Sequence, residues 1–385
     1  VVWMGDADGD VYEDGGDIYF YNGTEESVTN LTNNMAANAR PQIDGSNVVW
    51  HGDADGNTDI YLHDGTSVTN LSDNSGANLD PQIDGSNVVW KSWQGSNYNI
   101  WRHDGTSVTN LSDNSAWVNT DPQISGSNVV WSAKFASYNI YLHNGTGVAN
   151  VSNQSATHNQ IPQVDGSNIV WLGNADGNED VYLYNGTEES VTNLSNNAAD
   201  NYGPQISGSN VVWTSDVDGN NDIYFYDGTS VTNLSDNGGN NSSPQISGSN
   251  VVWTSDVDGN NDIYAAYWLG PDAVLNNLNL SVEDLSDIDL SNADVTDANL
   301  TGAYLANAIL DGATFSTGTT LYDGQTVLQH GFDAAGLEAF LEGSSFSVSS
   351  ANNLTIVPEP STGLLSLLGL TGCILSRSRR RSARG

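Results

Sequence analysis

Through residue 264 the chain repeats one pattern of apolar and polar positions. The unit at 41–74 reads PQIDGSNVVWHGDADGNTDIYLHDGTSVTNLSDN. Four runs in it, PQI, NVVW, DIYLH and SVTNL, are rich in Val, Ile, Tyr, Trp and Thr, which suit a pleated, half-buried surface. Between them stand DGS, DADGN and DGT, whose Asp, Asn and Gly form tight turns. NVVW is apolar on successive residues, so both of its faces are predicted to be covered. The tripeptide VVW or IVW ends at Trp3, Trp50, Trp90, Trp131, Trp171, Trp213 and Trp253; after the first interval of 47 the spacings are 40, 41, 40, 42 and 40. Four strands in roughly 40 residues, repeated about seven times, predict an all-β fold, a β-propeller. Five units are complete, the first lacks PQI and the last lacks SVTNL, for 26 strands. Seven blades are favoured and six is left open. The chain opens inside a unit, with VVWMGDADGD and no leader, which is read as a truncated N-terminus.

From Leu275 the period becomes five. Leu275, Leu280, Leu285, Leu290, Val295, Leu300, Leu305, Leu310 and Phe315 are evenly spaced, and Ala293, Ala298, Ala303, Ala308 and Ala313 lie two residues before the later ones. Such a period fits neither an α-helix nor a flat strand. It fits a square coil with every fifth side chain inward. In GFDAAGLEAFLEG (331–343), Leu337, Phe340 and Leu341 recur at helical spacing and predict a short cap on that coil. The chain closes on VPEPSTGLLSLLGLTGCILSRSRRRSARG: a Pro-Glu-Pro triplet, an apolar run at 363–375, then arginines. That run is short of the roughly 20 residues a membrane span needs, but apolar-then-basic is the order of a stop-transfer signal.

Three resemblances rest on these residues. PQISGSNVVWTSDVDGNNDIYFYDGTSVTNLS (204–235) resembles the TolB-type propeller repeat, departing at the first turn, where that family has Ser-Pro-Asp-Gly. NADVTDANLTGAYLANAILDGATF (292–315) resembles the pentapeptide-repeat family, which implies a short right-handed quadrilateral β-helix of four pentapeptides per coil. The C-terminal element resembles the PEP-CTERM sorting signal, centred on Pro358, Glu359 and Pro360 with Arg379, Arg380 and Arg381 behind. It implies a C-terminal apolar sorting helix, export, recognition by an exosortase, cleavage near the triplet and transient membrane anchoring. The expected organisation is a propeller at 1–264, a linker at 265–272, the β-helix at 273–317, a cap and spacer at 318–353 and the sorting signal at 354–385.

Charge narrows the partners. The net charge is -38, and residues 1–360 hold only Arg40, Lys91, Arg102 and Lys134 against all 47 Asp and Glu. Such a surface repels nucleic acid. The single cysteine, Cys373, leaves no disulfide.

The acidic turns are the main candidates for chemistry. They place Asp53, Asp55 and Asp59; Asp176 and Asp180; Asp216, Asp218 and Asp222; and Asp256, Asp258 and Asp262 around single glycines. These carboxylates are candidates for weak calcium binding, although the first Asp of the better-known calcium loops is His51, Leu172, Thr214 or Thr254 here. The competing reading is plain turn chemistry, with Gly supplying positive φ. His63, His103 and His143 share one position in successive units and read as cross-strand partners, not zinc ligands. Trp93 and Trp117 break the repeat near Trp101 and could form an aromatic patch for sugars or protein. The sequons at Asn22, Asn30, Asn70 and Asn110 read as turns. No nucleophile elbow, zinc-protease helix or phosphate loop is present.

The functional expectation is a non-enzymatic interaction scaffold of the cell envelope, surface or extracellular matrix of a bacterium. It has no certain cofactor beyond the calcium candidate, and an extracellular protein or polysaccharide as partner. The alternatives are a lyase-like propeller enzyme acting on extracellular polysaccharide, for which Arg40, Lys91, Arg102 and Lys134 are the available permanent cations, and a calcium-dependent adhesin.

Overall fold

The computed structural model describes residues 1–5 and 16–268, apart from 33–35, 55, 94, 113–115, 153–157, 176, 218, 236–237, 249 and 258. Beyond these it describes 275, 278, 280, 285, 290, 293–295, 298, 304–306, 327–329, 355–356 and 373–377. The described residues contain strands and no helix. They divide into two compact units, Val1–Thr232 and Asn233–Gly385.

In the first unit antiparallel sheets follow one another along the chain. Sheet 1 has three strands, Val2–Gly5, Asp17–Asn22 and Ser27–Asn30. Sheet 2 has Ala39–Asp44, Asn47–Gly52, Asp59–His63 and Val68–Asn70, paired in that order. Sheets 3 to 6 repeat its plan, with first strands at Asn78–Asp84, Val118–Ser125, Asn159–Asp165 and Asn201–Ser207. The four runs of each repeat are therefore the four strands of one sheet, stacked as propeller blades are. First strands of successive sheets lie side by side.

The stacking explains why NVVW is apolar throughout. Val48 and Trp50 pack with Ile18 of sheet 1, while Val49 packs with Val88 and Trp90 of sheet 3. The same alternation recurs at the next three sheet junctions. Buried Trp50, Trp131, Trp171, Trp213 and Trp253 each also stack on the tyrosine opposite, as in Trp131–Tyr141 at 6.1 Å and Trp171–Tyr182 at 5.9 Å. A fully buried side chain of this size contributes on the order of 2–3 kcal/mol by transfer from water.

Polar side chains wire the sheets together. The indole N–H of Trp90 donates to Oδ1 of Asn78 at 3.2 Å, and Trp131, Trp171, Trp213 and Trp253 repeat the bond to Asn119, Asn159, Asn201 and Asn241. Asn78 in turn donates to Oδ1 of Asp59 in the preceding sheet at 3.0 Å. The DGS and SGS turns form a second seam. Gly85 N–H donates to Asp44 of the sheet before it at 2.5 Å, Gly166 to Ser125 at 2.9 Å and Gly208 to Asp165 at 2.6 Å. A polar first turn residue thus caps the neighbouring sheet.

Each PQI strand carries a β-bulge. The register shifts between Leu79 and Gln82 in sheet 3 and between Thr120 and Gln123 in sheet 4. The extra residue has positive φ, 52° at Arg40, 55° at Asp80 and 54° at Asp121, and is followed by Pro41, Pro81 or Pro122. Proline has no N–H to lose, so it is tolerated at a bulge.

The second unit holds sheet 7, made of Asn241–Ser247, Asn250–Ser255 and Asp262–Trp268. Its fourth strand is Cys373–Arg377, antiparallel to Asp262–Trp268. This corrects the expected C-terminal helix over the described part of the apolar run. The last repeat lacks SVTNL, so its third strand offers an unpaired edge that an extended apolar segment satisfies. Pro358, Glu359, Pro360, Arg379, Arg380 and Arg381, and the helix expected at 331–343, lie outside the described residues.

The five-residue period also becomes concrete here. Leu275, Leu280, Leu285, Leu290 and Val295 are buried, as are Ala293 and Ala298. Leu275 N–H donates to the carbonyl of Asp294 at 2.8 Å, beside Val295, the residue four pentapeptides on. Corner turns close from Ala293 N–H to Leu290 carbonyl at 3.1 Å and from Ala298 to Val295 at 3.3 Å. Short parallel strands follow at Tyr304–Ala306, Val327–Gln329 and Thr355–Ile356.

Candidate functional site

The acidic turns are built into the sheets at both ends. Their last carboxylate is buried: Asp59 accepts from Asn70 at 2.8 Å and Ser72 at 3.0 Å, and Asp180 from Asn193 at 2.7 Å and Ser195 at 2.9 Å. Asp222 is buried at the same position, and Asp262 begins the equivalent strand of sheet 7. Their first carboxylate reaches across to the strand before it. Asp53 accepts from Ala37 N–H at 2.7 Å, Asp216 from Asp200 at 3.2 Å and Asp256 from Asn240 at 2.6 Å. Gly219 has φ +93°, where a side chain would be strained. Asp55, Asp176, Asp218 and Asp258, the central carboxylates, lie outside the described residues. Among the described residues no group of three or more His, Cys, Asp or Glu is gathered for a metal.

The histidines and sequons serve turns. His63, His103 and His143 each accept through Nδ1 the N–H of the glycine two residues on, at 3.2 Å. Asn22, Asn30, Asn70 and Asn110 each accept the N–H two residues on at 3.0 Å. Asp64 of a DGT turn accepts from Thr66 Oγ1 and N–H and from Ser67 N–H, and these bonds hold its carboxyl down to about 2.

The bulge position changes character on sheets 2 to 4. Bulge residues Arg40, Asp80 and Asp121 carry charge there, whereas Ile161, Gly203 and Ser243 occupy the position in sheets 5 to 7. Arg40 Nη1 lies 2.6 Å from Asp80 Oδ1, and Lys91 Nζ bridges to the other oxygen of the same carboxylate. Lys91 and His51 occupy one position on the second strands, opposite Leu79 and Ala39. Burial is the largest effect on His51 and lowers its imidazole; Arg40 and Lys91 lower it further, against Asp80. Burial also raises the Asp121 carboxyl, against a 3.1 Å bond from Thr120 and the charge of Lys91. Two permanent cations thus share one carboxylate, beside an imidazole that burial lowers and a carboxyl that burial raises.

Aromatic rings adjoin this cluster. Lys91 Nζ sits 5.4 Å from the centre of the Tyr98 ring, and Trp93 meets Tyr98 edge-on at 5.0 Å. In sheet 4, Lys134 stands where Trp93 stands in sheet 3, with Nζ 5.0 Å from the Tyr138 ring. Trp93 and Trp117 are 40% and 66% exposed. Trp101 instead packs into the core between sheets 2 and 3, in the place of the stacked tyrosine, so it is no part of an exposed patch. Arg102 donates to Asn87 at 2.7 Å, apart from the ion-pair cluster. A cavity of about 260 Å³ lies alongside, lined by Ala116, Trp131, Ala133, Phe135 and Tyr141 among others.

Residues 284–317 carry pentapeptide repeats. They match that family in eight copies. No curated protein matches the chain. Among solved structures, TolB from Acinetobacter baumannii is similar at 16% identity and TM-score 0.41, over 60% of this chain and 62% of that one. The β-propeller domain of the Trilobed protease from Pyrococcus furiosus is similar at 10% identity and TM-score 0.47, over 61% and 80%. An acylaminoacyl peptidase from Pyrococcus horikoshii is similar at 11% identity and TM-score 0.46, over 65% of this chain and 46% of its own. The chain thus spans less than two thirds of that TolB and under half of that peptidase.

Sequence reasoning missed two sets of residues. The buried Asn–Trp pairs were readable as an asparagine twelve residues before each VVW or IVW tryptophan from Trp90 onward. The Arg40–Asp80–Lys91 cluster had a fainter signal. All four body cations and two acidic bulge residues fall in consecutive units, but only stacking of the sheets brings Arg40, Asp80 and Lys91 together.

Proposed function

We propose that this chain is an exported, envelope-associated interaction scaffold without catalytic activity. The observation that carries the reading is the cluster of charged and aromatic departures from the repeat on three adjacent sheets. Charged and aromatic side chains replace the usual residues on sheets 2 to 4, and buried Asn–Trp bonds hold the strands of sheets 3 and 4. Rigid strands bearing one distinctive patch suit recognition. Export, exosortase sorting and cleavage near Pro358–Pro360 belong to the same proposal and rest on the C-terminal sequence element.

Two measurements test it. Mass spectrometry of the mature protein is expected to find a C-terminus near the Pro-Glu-Pro triplet, and an intact Arg377–Gly385 at the cell surface would overturn the sorting step. Incubation with candidate polymers is expected to release no product. Turnover abolished by Lys91→Ala or Arg40→Ala would replace the scaffold reading with the lyase-like enzyme, which the proximity of His51 to these cations would then serve.

A further inference from the structure

The patch on sheets 2 to 4 has a composition that specifies its ligand further than the scaffold reading does, and the step below rests on that reading. The chain is strongly acidic, yet Arg40, Lys91 and Lys134 are three of only four Lys or Arg residues before residue 361. Arg40 and Lys91 converge on Asp80, whose side chain is 17% exposed, while the Arg40 side chain is 68% exposed. One carboxylate is shared by two cations, so guanidinium N–H groups remain for a second carboxylate. Lys134 has no carboxylate partner among the described residues.

The aromatic part is continuous with the cationic part. Lys91 adjoins Tyr98, and Tyr98 adjoins Trp93. Asn97, in the same turn, donates to the carbonyl of Ala116 at 3.1 Å, which ties that turn to the segment bearing Trp117. Trp117 N–H donates to the carbonyl of Lys134 at 2.8 Å. The surface therefore runs from cation to ring to cation across sheets 2, 3 and 4. Exposed indole rings take the apolar C–H faces of sugars, and a guanidinium takes a carboxylate in the plane of its fork. A ligand with charges at every unit would meet repulsion from the acidic surface around the patch. One with isolated carboxylates between neutral sugars would meet a cation and then a ring.

We propose that this patch binds a polysaccharide in which acidic, carboxylate-bearing sugars are separated by neutral ones. The anion seats at Arg40 and Lys91, and neutral sugars stack on Trp93 and Trp117.

The test is calorimetric titration of the full chain with a gellan-derived oligosaccharide carrying glucuronate among neutral sugars. The same oligosaccharide with its carboxyl reduced to an alcohol is the matched control. Binding is expected for the acid form and to weaken at least about tenfold for the reduced form. Arg40→Gln and Trp117→Ala are each expected to weaken the acid form by about tenfold. Both side chains are exposed, so unchanged melting curves will show that the variants fold. Raising salt is expected to weaken the acid form alone. Equal binding of acid and reduced forms, no binding of either, or equal binding of single-stranded RNA would each overturn the inference. Capture of a protein partner with no glycan binding would overturn it and leave the scaffold reading standing. Release of cleaved oligosaccharide would sink the scaffold reading and leave recognition of the acidic sugar intact.

Discussion

Replacing Asn78 with leucine tests the wiring that holds the candidate surface in place. Asn78 is buried and accepts the Trp90 indole N–H at 3.2 Å while donating to Asp59 Oδ1 at 3.0 Å and to the Gly76 carbonyl at 2.9 Å. A hydrogen bond to a charged group is worth roughly 1.5–3 kcal/mol, and a buried donor left unpaired costs about 1–3 kcal/mol. Asp59 keeps its bonds from Asn70 and Ser72, which limits its share of the loss. Trp50 limits the other share, because its buried indole nitrogen has no partner. The expected cost of Asn78→Leu is therefore about 3–4 kcal/mol. Urea unfolding of the full chain, followed by tryptophan fluorescence, reads it as a lower midpoint at unchanged slope. Trp90→Phe in both backgrounds completes a cycle, with an expected coupling of about 1 kcal/mol. A loss below about 1 kcal/mol, or additivity of the two changes, would refute the claim that Asn78 links Trp90 of its own sheet to Asp59 of the sheet before it.

The buried His51 predicts a pH effect. Its imidazole is lowered below 6.5 in the folded chain. Above that value both states are neutral and it contributes nothing. As pH falls below it the unfolded state takes the proton first, so stability falls until the folded imidazole protonates too. Arg40, Lys91 and Asp80 are the charged groups facing it, and His51→Gln is expected to flatten the drop in urea midpoint between about pH 8 and about pH 5.5. Asp121, raised by burial, acts in the opposite sense, its destabilisation fading as pH falls through its folded value. For the acidic turns, the first and last carboxylates already accept hydrogen bonds, so melting is expected to be the same in millimolar calcium as in chelator. A rise of several degrees would establish the calcium sites. In the second unit, Leu285→Ala is expected to cost roughly 2–5 kcal/mol, because Leu285 is fully buried in the coil. Limited proteolysis would then cut after residue 275 sooner, and unchanged resistance would refute inward packing of every fifth residue.

Periodicity alone determined most of the architecture. Among the described residues, the apolar runs of the repeat became strands, the Asp-Gly clusters between them turns, and Leu275, Leu280, Leu285 and Leu290 buried side chains. This follows because a strand or coil position is defined by its near neighbours, and those are written in the local pattern. The dual-faced NVVW run likewise announced a strand covered on both sides, and Val48 and Val49 do face opposite neighbours. The roles of individual carboxylates were not legible. Asp59 and Asp53 look alike in the sequence, yet one is buried against Asn78 and the other reaches Ala37. Register and bulges decide that, and a bulge turns a side chain by shifting the pairing rather than the composition. The same holds for Arg40, Asp80 and Lys91. They are 40 and 11 residues apart in the chain and meet only because first strands of successive sheets lie side by side. The C-terminal strand is the remaining case. An apolar run read by itself suggests a helix, and only the open edge of the last sheet makes Cys373–Arg377 extended.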